Sequence, residues 1–364
     1  MKYPSINFTK YVLPLVAFLF LIQGCSSPDK EDTLIIYSGR SKALVDKLVE
    51  DYRKEADIKV EVRYGNDAEL MSLMQEEGDK SPADIYWANT TGALGAASRA
   101  DMLTQLPDNL LKKPASYVPS SGRWTPVTTR FRVLAYNSEN VSEGDLPASI
   151  LDLPQEDELK GRIGWTPSYS SFYDFVTAMR DLHGEETTGR WIEEMQALNP
   201  KSYTSNTPMI QALAAGEIDV ALTNHYYVLR MKYGGAEGEY EDEEHEEEEE
   251  HEEEEHKTKP GVPVETYHFE DGNVGNLALV TGAGVLKTSN QQQEAQKFLQ
   301  FLLSKEAQRY AAESVHEYPV IDAVELPPYM LESNKAAQLS PEYDYEKLKE
   351  LEPTLKLLRD IGLI

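Results

Sequence analysis

The sequence contains almost no cysteine and has far fewer positive than negative charges. Cys25 is the single cysteine among 364 residues, which excludes disulfides within the chain and sites built from several thiolates. Lys and Arg number 35 against 63 Asp and Glu, and the formal net charge is −28 at pH 7. Because nucleic-acid binding requires basic patches, we expect no nucleic-acid partner.

Local signatures of catalysis are also absent. The sequence has no Gly-x-Ser-x-Gly elbow, no Gly-x-x-x-x-Gly-Lys phosphate loop, no His-Glu-x-x-His pair and no Gly-x-Gly-x-x-Gly turn. Each of these patterns places a nucleophile, a phosphate cradle or a metal pair at a fixed spacing. Their absence makes an enzyme the weaker class of function and a binding protein the stronger one.

The one long apolar run, Tyr11 to Ile22, is too short to span a bilayer comfortably. Lys2 and Lys10 precede it and Cys25 follows it closely, which is the arrangement of a bacterial lipoprotein signal. We therefore predict a signal peptide over 1–24, lipidation of Cys25, and a polar tether over 25–32 that anchors the protein to a membrane without embedding it.

The negative charge is concentrated in one segment. Residues 237–259 form the single low-complexity stretch, and 15 acids lie between Glu237 and His256 without any Lys or Arg. Such runs repel themselves and bury nothing, so this stretch is predicted to be a surface loop insertion. His245, His251 and His256 are spaced by six and five residues, which does not suit a two-histidine helical metal site. Specific metal sequestration, loose cation attraction and simple solvation all remain open for this loop.

The rest of the chain alternates strand-like and helix-like segments, which predicts an α/β fold. About 330 residues also exceed what a single hydrophobic core usually serves, so two lobes are expected. The predicted strands are 33–37, 59–64, 83–87, 132–136, 161–165, 218–222, 277–280 and 283–286. The predicted helices are 43–52, 67–74, 91–99, 171–182, 186–198, 206–215, 293–312 and 347–363.

Two adjacent tyrosines, Tyr226 and Tyr227, closely follow the predicted strand 218–222. Open α/β sheets bind ligands at the carboxyl ends of their strands. Phenol oxygens are hard donors once deprotonated, and a nearby trivalent cation can lower their pKa from about 10 far enough for deprotonation at neutral pH. The pair therefore points to ferric iron, although tyrosines are also common packing residues in sheets.

Five separated segments resemble, in order and spacing, the bacterial ferric-iron-binding lipoproteins and periplasmic proteins that serve ABC importers. The resemblance covers nearly all of 33–364 apart from the acidic insertion. The segments are LIIYSGR at 34–40, EEGDKSPAD at 76–84, TRFRVLAYN at 129–137, the stretch 216–227 that ends in the tyrosine pair, and HEYP at 316–319.

This resemblance implies a two-lobed type II periplasmic-binding-protein fold with a central ligand cleft. The first lobe would hold 33–129 and 270–312, and the second 130–269 and 313–364. The implied function is that of a monomeric substrate-binding lipoprotein, which captures ferric iron at the periplasmic or extracellular face of the cell envelope and delivers it to an ABC importer permease.

The resemblance also implies which residues bind iron. Tyr226 and Tyr227 match the family's paired tyrosine ligands. Where some members have a histidine and a glutamate as further ligands, this chain has Ser41 and Asn89. Relatives that lack those ligands use additional tyrosines, and Tyr169 and Tyr37 are the candidates for a third ligand here.

Several family members bind a synergistic anion, carbonate or phosphate, beside the iron. The residues that match or neighbour anion-facing positions are Arg130, Ser170, Ser171, Asn206 and Asn224. For Arg130, an ion pair where the chain crosses between lobes is the competing interpretation. Two alternatives to iron binding remain: a protein of the same fold that binds a polyamine, thiamine or an oxyanion, and a hydrolase or transferase on an α/β scaffold.

Overall fold

The structure is a computed structural model that describes residues 33–111, 117–235 and 261–364. The predicted signal peptide 1–24, the tether 25–32 with Cys25, and the acidic insertion 237–259 with its three histidines lie outside the described residues. No helix within the described ranges is long and apolar enough to cross a bilayer.

The described residues form ten strands and eleven α-helices, joined by short 3-10 segments. The strands are β1 Thr33–Ser38, β2 Lys59–Tyr64, β3 Ile85–Ala88, β4 Thr125–Asn137, β5 Ile163–Trp165, β6 Lys201–Ser202, β7 Val220–Asn224, β8 Val264–Tyr267, β9 Ala278–Val285 and β10 Tyr318–Pro319. The helices are α1 Lys42–Ala56, α2 Asp67–Glu77, α3 Thr91–Arg99, α4 Ser170–His183, α5 Glu185–Ala197, α6 Asn206–Ala214, α7 His225–Tyr233, α8 Gln292–Leu302, α9 Lys305–Ser314, α10 Ser333–Leu339 and α11 Leu351–Asp360.

The strands lie in the order β2-β1-β3-β9-β4-β7-β5-β6, and β8 and β10 also pair with β4. On one side, β1 runs parallel to β2 and β3, and β3 is antiparallel to β9. On the other side, β5 runs parallel to β6 and β7. Parallel pairs on each side put several strand carboxyl ends at common edges, where α/β proteins bind ligands.

Strand β4 connects the two groups of strands. All 13 of its residues are buried. Its first half, through Phe131, pairs with β9, and its second half, from Arg132, pairs with β7. The lobe boundary predicted between residues 129 and 130 falls two residues before this change of partners. Strand β10 pairs with Thr128 and Thr129 of the same strand, so a later part of the chain returns to the crossing point.

Each group of strands has its own aromatic packing. Beside β3, Trp87 contacts Phe298 edge to face, with ring centroids 6.1 Å apart. Beside β5, Phe172 packs against Trp165 at 5.8 Å, and Phe175 packs against Trp191 at 5.6 Å. Full burial of one such side chain contributes about 1.5 to 3 kcal/mol, so these clusters fix the helices that carry the site residues.

The predicted long helix over 293–312 is wrong, because the structure breaks it into α8 and α9. Ser304 ends the continuity by capping α9, since its hydroxyl accepts a hydrogen bond of 3.2 Å from the Ala307 amide. Both helices are amphipathic and pack their apolar faces on the same core, so the apolar spacing continues across the break. The prediction over 347–363 likewise divides into a 3-10 segment, Tyr345–Lys349, and α11.

Two strands in the structure, β9 and β4, are longer than the strands predicted from the sequence. The two segments predicted at 277–280 and 283–286 form one strand, β9. Its glycines interrupt the apolar pattern but are required by close packing, because a Cβ on Gly282 would lie 2.6 Å from the Thr125 carbonyl oxygen. Strand β4 likewise begins seven residues before the predicted 132–136, at Thr125.

Candidate metal and anion site

Tyr226 and Tyr227 lie in the first turn of α7, directly after β7 ends at Asn224. The strand therefore ends two residues later than predicted, and the pair is on a helix. Both side chains are buried, with exposed fractions of 2% and 5%. Their ring centroids are 4.2 Å apart and the planes are tilted by 32°. The helix start thus holds two phenol rings side by side at the end of a central strand.

His225 fixes the orientation of this helix start. Its Nδ1 accepts a hydrogen bond of 3.1 Å from the Phe131 amide in β4, so its Nε2 donates to the His316 carbonyl at 2.7 Å. Burial lowers the pKa of His225 to about 4, and the ring is neutral at neutral pH. The tyrosine pair is thereby attached to the strand that joins the two halves of the sheet.

Tyr169 is brought to the pair. Its hydroxyl oxygen lies 3.3 Å from the Tyr227 hydroxyl oxygen, and Tyr169 is the residue that precedes α4. Two oxygens that bind one small cation at about 2 Å lie roughly 3 Å apart. Tyr169, Tyr226 and Tyr227 therefore form a tyrosine cluster, in which the spacing of Tyr169 and Tyr227 suits ligands of a single ion.

Two arginines that were not predicted lie beside the tyrosine cluster. The guanidinium carbon of Arg230 is 4.6 Å from the Tyr226 ring centroid. Arg132 is 2% exposed, and burial lowers its pKa to about 10, while the neighbouring Tyr226 and Tyr227 favour its charged form. It therefore stays protonated at neutral pH. Nearby positive charge stabilises a phenolate over a phenol.

Sequence signals for these arginines existed. Arg132 follows Arg130 by two residues, which places both side chains on one face of β4. Arg230 follows Tyr226 by four residues, which is one turn of helix. Neither spacing is specific enough to assign a role without the fold.

A second feature of the site is a set of buried polar groups that lack hydrogen-bond partners within the described residues. Asn224 uses its Oδ1 to accept from Arg132 at 3.3 Å, and Asn206 uses its Oδ1 to accept from Thr223 at 3.1 Å. The partnerless atoms are Thr166 Oγ1, Ser171 Oγ, Asn206 Nδ2 and Asn224 Nδ2. Buried polar groups are rarely left unpaired in native proteins, so each such atom requires an explanation.

These atoms lie at positions suited to an anion. Ser171 is in the first turn of α4, after the half-buried Ser170, and Asn206 begins α6. Helix N-termini present free amide groups and a favourable dipole to negative charge. Hydroxyl and amide groups beside them supply further donors. Three of the five predicted anion residues thus offer unpaired buried atoms, and Thr166 adds a group that was not predicted.

Arg130, another predicted anion residue, donates two hydrogen bonds to the neutral residue Asn89. Its Nη1 donates to Asn89 Oδ1 at 2.7 Å and its Nη2 donates to the Asn89 carbonyl at 2.9 Å. Arg40 donates to the same Asn89 Oδ1 at 2.6 Å and to Glu317 at 2.6 Å. Arg40 and Glu317 form a buried ion pair at the crossing, and both side chains are 2% exposed.

We call the group formed by Arg40, Asn89, Thr128, Arg130 and Glu317 the hinge cluster. Its charges control the pKa of the Glu317 carboxyl group. Burial alone would raise the pKa of Glu317. The charges of Arg40 and Arg130, with hydrogen bonds from Thr128 and Arg40, outweigh burial and lower the pKa to about 2. Glu317 is therefore ionised at neutral pH.

Asp174 in α4 behaves in the opposite way. Burial raises the pKa of Asp174 to about 7, and the charge of Asp67 adds to this, although Arg130 and Arg132 oppose it. The Asp174 carboxyl group thus titrates near neutral pH, close to the charges of Arg130 and Arg132.

Tyr37, the other candidate third ligand, points its hydroxyl at a different partner. It donates to Glu77 at 2.8 Å, and Arg63 lies 5.7 Å from its ring centroid. Burial and then the Glu77 carboxylate raise the pKa of Tyr37 to about 12, which opposes phenolate formation. The structure brings Tyr169 to the tyrosine pair and directs Tyr37 to Glu77.

Side chains of other metal-binding types do not gather elsewhere: the described ranges hold no group of three or more His, Cys, Asp or Glu arranged to bind an ion. Ser41 and Asn89 stand where some family members have metal ligands. Ser41 precedes α1, and Asn89 Oδ1 accepts hydrogen bonds from Arg40 and Arg130.

Known proteins resemble this chain over most of its length. A family model for bacterial extracellular solute-binding proteins matches residues 47–338. The chain is 30% identical over 295 residues to the Fe(3+)-binding periplasmic protein of Serratia marcescens, covering 81% of this chain and 80% of that protein. It is 28% identical over 337 residues to the major ferric iron-binding protein of Neisseria meningitidis serogroup B, covering 91% and 93%.

A solved structure shows the same architecture. Iron-bound HitA from Pseudomonas aeruginosa superposes with a TM-score of 0.78 at 30% identity, covering 91% of this chain and all of that one. The predicted two-lobed α/β fold of type II periplasmic binding proteins is confirmed. With a family model that spans most of its length and relatives of this similarity, the chain belongs to the bacterial extracellular solute-binding proteins.

Proposed function

We propose that this protein captures ferric iron with Tyr226, Tyr227 and Tyr169 and delivers it to an ABC importer permease. The observation that supports it most is the tyrosine cluster, in which buried phenols meet beside Arg132 and Arg230. Hard oxygen donors suit a hard trivalent cation, and the arginines favour their deprotonated form. The relatives named for ferric iron binding agree with this assignment.

An anion completes the site in this proposal. Carbonate or phosphate would accept hydrogen bonds from Arg130, Ser170, Ser171, Asn206 and Asn224, and Thr166 would add one more donor. The unpaired buried atoms of Thr166, Ser171, Asn206 and Asn224 support it, because a bound anion would satisfy them. Its oxygen atoms would also complete the coordination of the iron. Tyr37 would join only by giving up its bond to Glu77.

The mechanism is closure of the two lobes around the bound ion. A ligand that contacts both lobes favours the closed form by its difference in affinity for the two forms. A permease that recognises the closed form would then receive loaded protein. We place the protein in the periplasm or at the extracellular face, as a monomer anchored by lipid on Cys25. A relative named as a periplasmic protein supports the periplasmic location.

The test is metal analysis with a visible spectrum of the purified protein, with and without carbonate and phosphate. Ferric iron bound by phenolate gives a charge-transfer colour, and the double variant Tyr226→Phe with Tyr227→Phe should abolish it. The single variant Tyr52→Phe, in α1 where the ring packs against Phe298, is the control and should keep the colour. A coloured double variant would exclude the tyrosine pair as ligands.

A second candidate function is binding of an oxyanion alone. The unpaired donors and Arg130 favour it, because they need no metal to attract a phosphate-like ligand. Titration calorimetry with phosphate, on protein stripped of metal, distinguishes the two. Tight phosphate binding without iron, together with no colour when ferric iron is supplied, would favour the oxyanion.

A further inference from the structure

We propose that Asn89 is a positioning residue that orients Arg130 and sets how strongly iron retention depends on the external anion. This inference rests on the proposed function. It concerns a residue at the end of β3 whose side chain contacts arginines of the crossing region and which has no assigned role in iron binding.

The contacts of Asn89 are well defined. Its side chain is buried, with 8% of the residue exposed. One oxygen, Oδ1, accepts from Arg40 at 2.6 Å and from Arg130 at 2.7 Å. The Asn89 carbonyl accepts from the second amino group of Arg130 at 2.9 Å. Two hydrogen bonds to one guanidinium fix its plane as well as its position.

The backbone of Asn89 is itself held in place. Its amide donates to Asp67 at 3.0 Å, and Asp67 also accepts from the amide and hydroxyl of Thr90. The loop after β1 closes over this carboxylate, because a Cβ on Gly39 would lie 2.0 Å from Asp67 Oδ1. Asn89 is therefore a rigid support contributed by the β1–β3 side of the molecule.

The chemical type of the support matters. An amide oxygen accepts hydrogen bonds from two guanidinium groups without adding negative charge. A carboxylate at the same place would hold both arginines more strongly, but it would also partly cancel the field of Arg130. Glu317 already supplies a carboxylate to Arg40. The neutral amide thus orients Arg130 without adding a further carboxylate to those of Glu317, Asp67 and Asp174, which its charge already influences.

The experiment compares Asn89→Asp, Asn89→Leu and the wild type. Each protein is loaded with ferric iron, and the decay of the charge-transfer absorbance is followed after EDTA is added, with and without phosphate. The measured quantity is the factor by which phosphate slows iron loss. We expect this factor to fall roughly tenfold in both variants, since one charge-assisted contact is worth about that much.

The two variants separate charge from position. Without phosphate, Asn89→Asp should retain iron longer than Asn89→Leu, because only the aspartate supplies a negative charge near Arg130. A merely structural role would make both variants lose iron faster and would not produce this difference. If Asn89→Asp does not fold, the loss of the phosphate effect in Asn89→Leu still tests the positioning role.

Asn137→Asp is the matched control, because Asn137 is a buried amide of the same strand as Arg130 and donates to the Leu213 carbonyl. It should keep the wild-type phosphate factor. A factor unchanged in the Asn89 variants, or equally reduced in Asn137→Asp, would overturn the inference. Failure of the proposed function looks different, because the wild type itself would then show no iron absorbance.

Discussion

The hinge cluster and the anion corner are both buried and polar, but they differ in how their hydrogen bonds are satisfied. In the hinge cluster, Arg40, Asn89, Thr128, Arg130 and Glu317 bond to one another, although Arg40 Nε has no partner within the described residues. In the anion corner, which comprises Thr166, Ser171, Asn206 and Asn224, each side chain keeps an unpaired atom within the described residues. Side chains that bond to one another hold a fold together, whereas unpaired donors beside helix N-termini support a ligand site.

The largest expected effect comes from breaking the hinge cluster. Glu317→Gln leaves Arg40 buried without its countercharge, and breaking a buried ion pair costs about 3 to 5 kcal/mol of unfolding free energy. Urea unfolding at pH 7 measures it. The exposed pair of Glu50 and Lys54 is the control, and Glu50→Gln should have little effect. Equal midpoints for the two variants would show that the hinge pair does not stabilise the fold.

The same variant has a predicted pH dependence. The pKa of Glu317 is lowered to about 2 in the folded state, against about 4.3 in an unfolded chain. Its contribution to stability is therefore fully present above about pH 4.3 and is lost as the pH falls towards 2. Wild type and Glu317→Gln should converge over that window, and a difference that persists at pH 2 would contradict the assignment.

The next largest effect separates Tyr169, which lies beside Tyr227, from Tyr37, which is bonded to Glu77. Tyr169→Phe removes a hydroxyl 3.3 Å from Tyr227, and we expect a shifted charge-transfer band and roughly tenfold or greater loss of iron affinity, as for one ligand contact of about 1.5 to 3 kcal/mol. Tyr37→Phe should leave the band in place and only weaken the fold, by losing the bond to Glu77. The reverse pattern would make Tyr37 the third ligand.

The smallest effect on stability tests the anion corner. Ser171→Ala removes a hydroxyl that has no described partner, so the unfolding free energy should stay within about 0.5 kcal/mol of wild type or rise slightly. The factor by which phosphate slows iron loss should nevertheless fall in this variant. Thr177→Val in the same helix is the control: it loses bonds to Tyr173 and Thr354 and should destabilise by about 1 kcal/mol without changing the phosphate effect.

An unfolding free energy that fell equally in Ser171→Ala and Thr177→Val would mean that the two hydroxyls play the same structural role. The distinction between the hinge cluster and the anion corner would then be lost, and the unpaired atoms would no longer support an anion.

Local sequence predicted those parts of the site whose residues are neighbours in the chain. Tyr226 and Tyr227 were recognisable because they follow a strand-like segment directly. The hinge cluster was not, because Arg40 is separated from Asn89 by 49 positions and from Glu317 by 277. Nothing in an arginine's immediate surroundings indicates which distant carboxylate the fold will bring to it.

The errors in element boundaries have a similar origin. Apolar spacing continues from α8 into α9 because both helices pack on the same core, so periodicity alone could not reveal the break. The capping serine at position 304 was the available signal. The gap predicted between strands 277–280 and 283–286 contains Gly282, which in β9 makes room for the Thr125 carbonyl and the Trp124 ring.

The continuous strand β4 limits how this protein could be taken apart or recombined. Its 13 residues pair with β9 and β10 at one end and with β7 and β8 at the other. Separating the chain at the predicted boundary, 129/130, would cut the strand and leave each half with unpaired backbone groups on formerly central strands. Exchange of one lobe between relatives is therefore not a modular operation: a chimera must inherit β4, β9 and β10 as one unit.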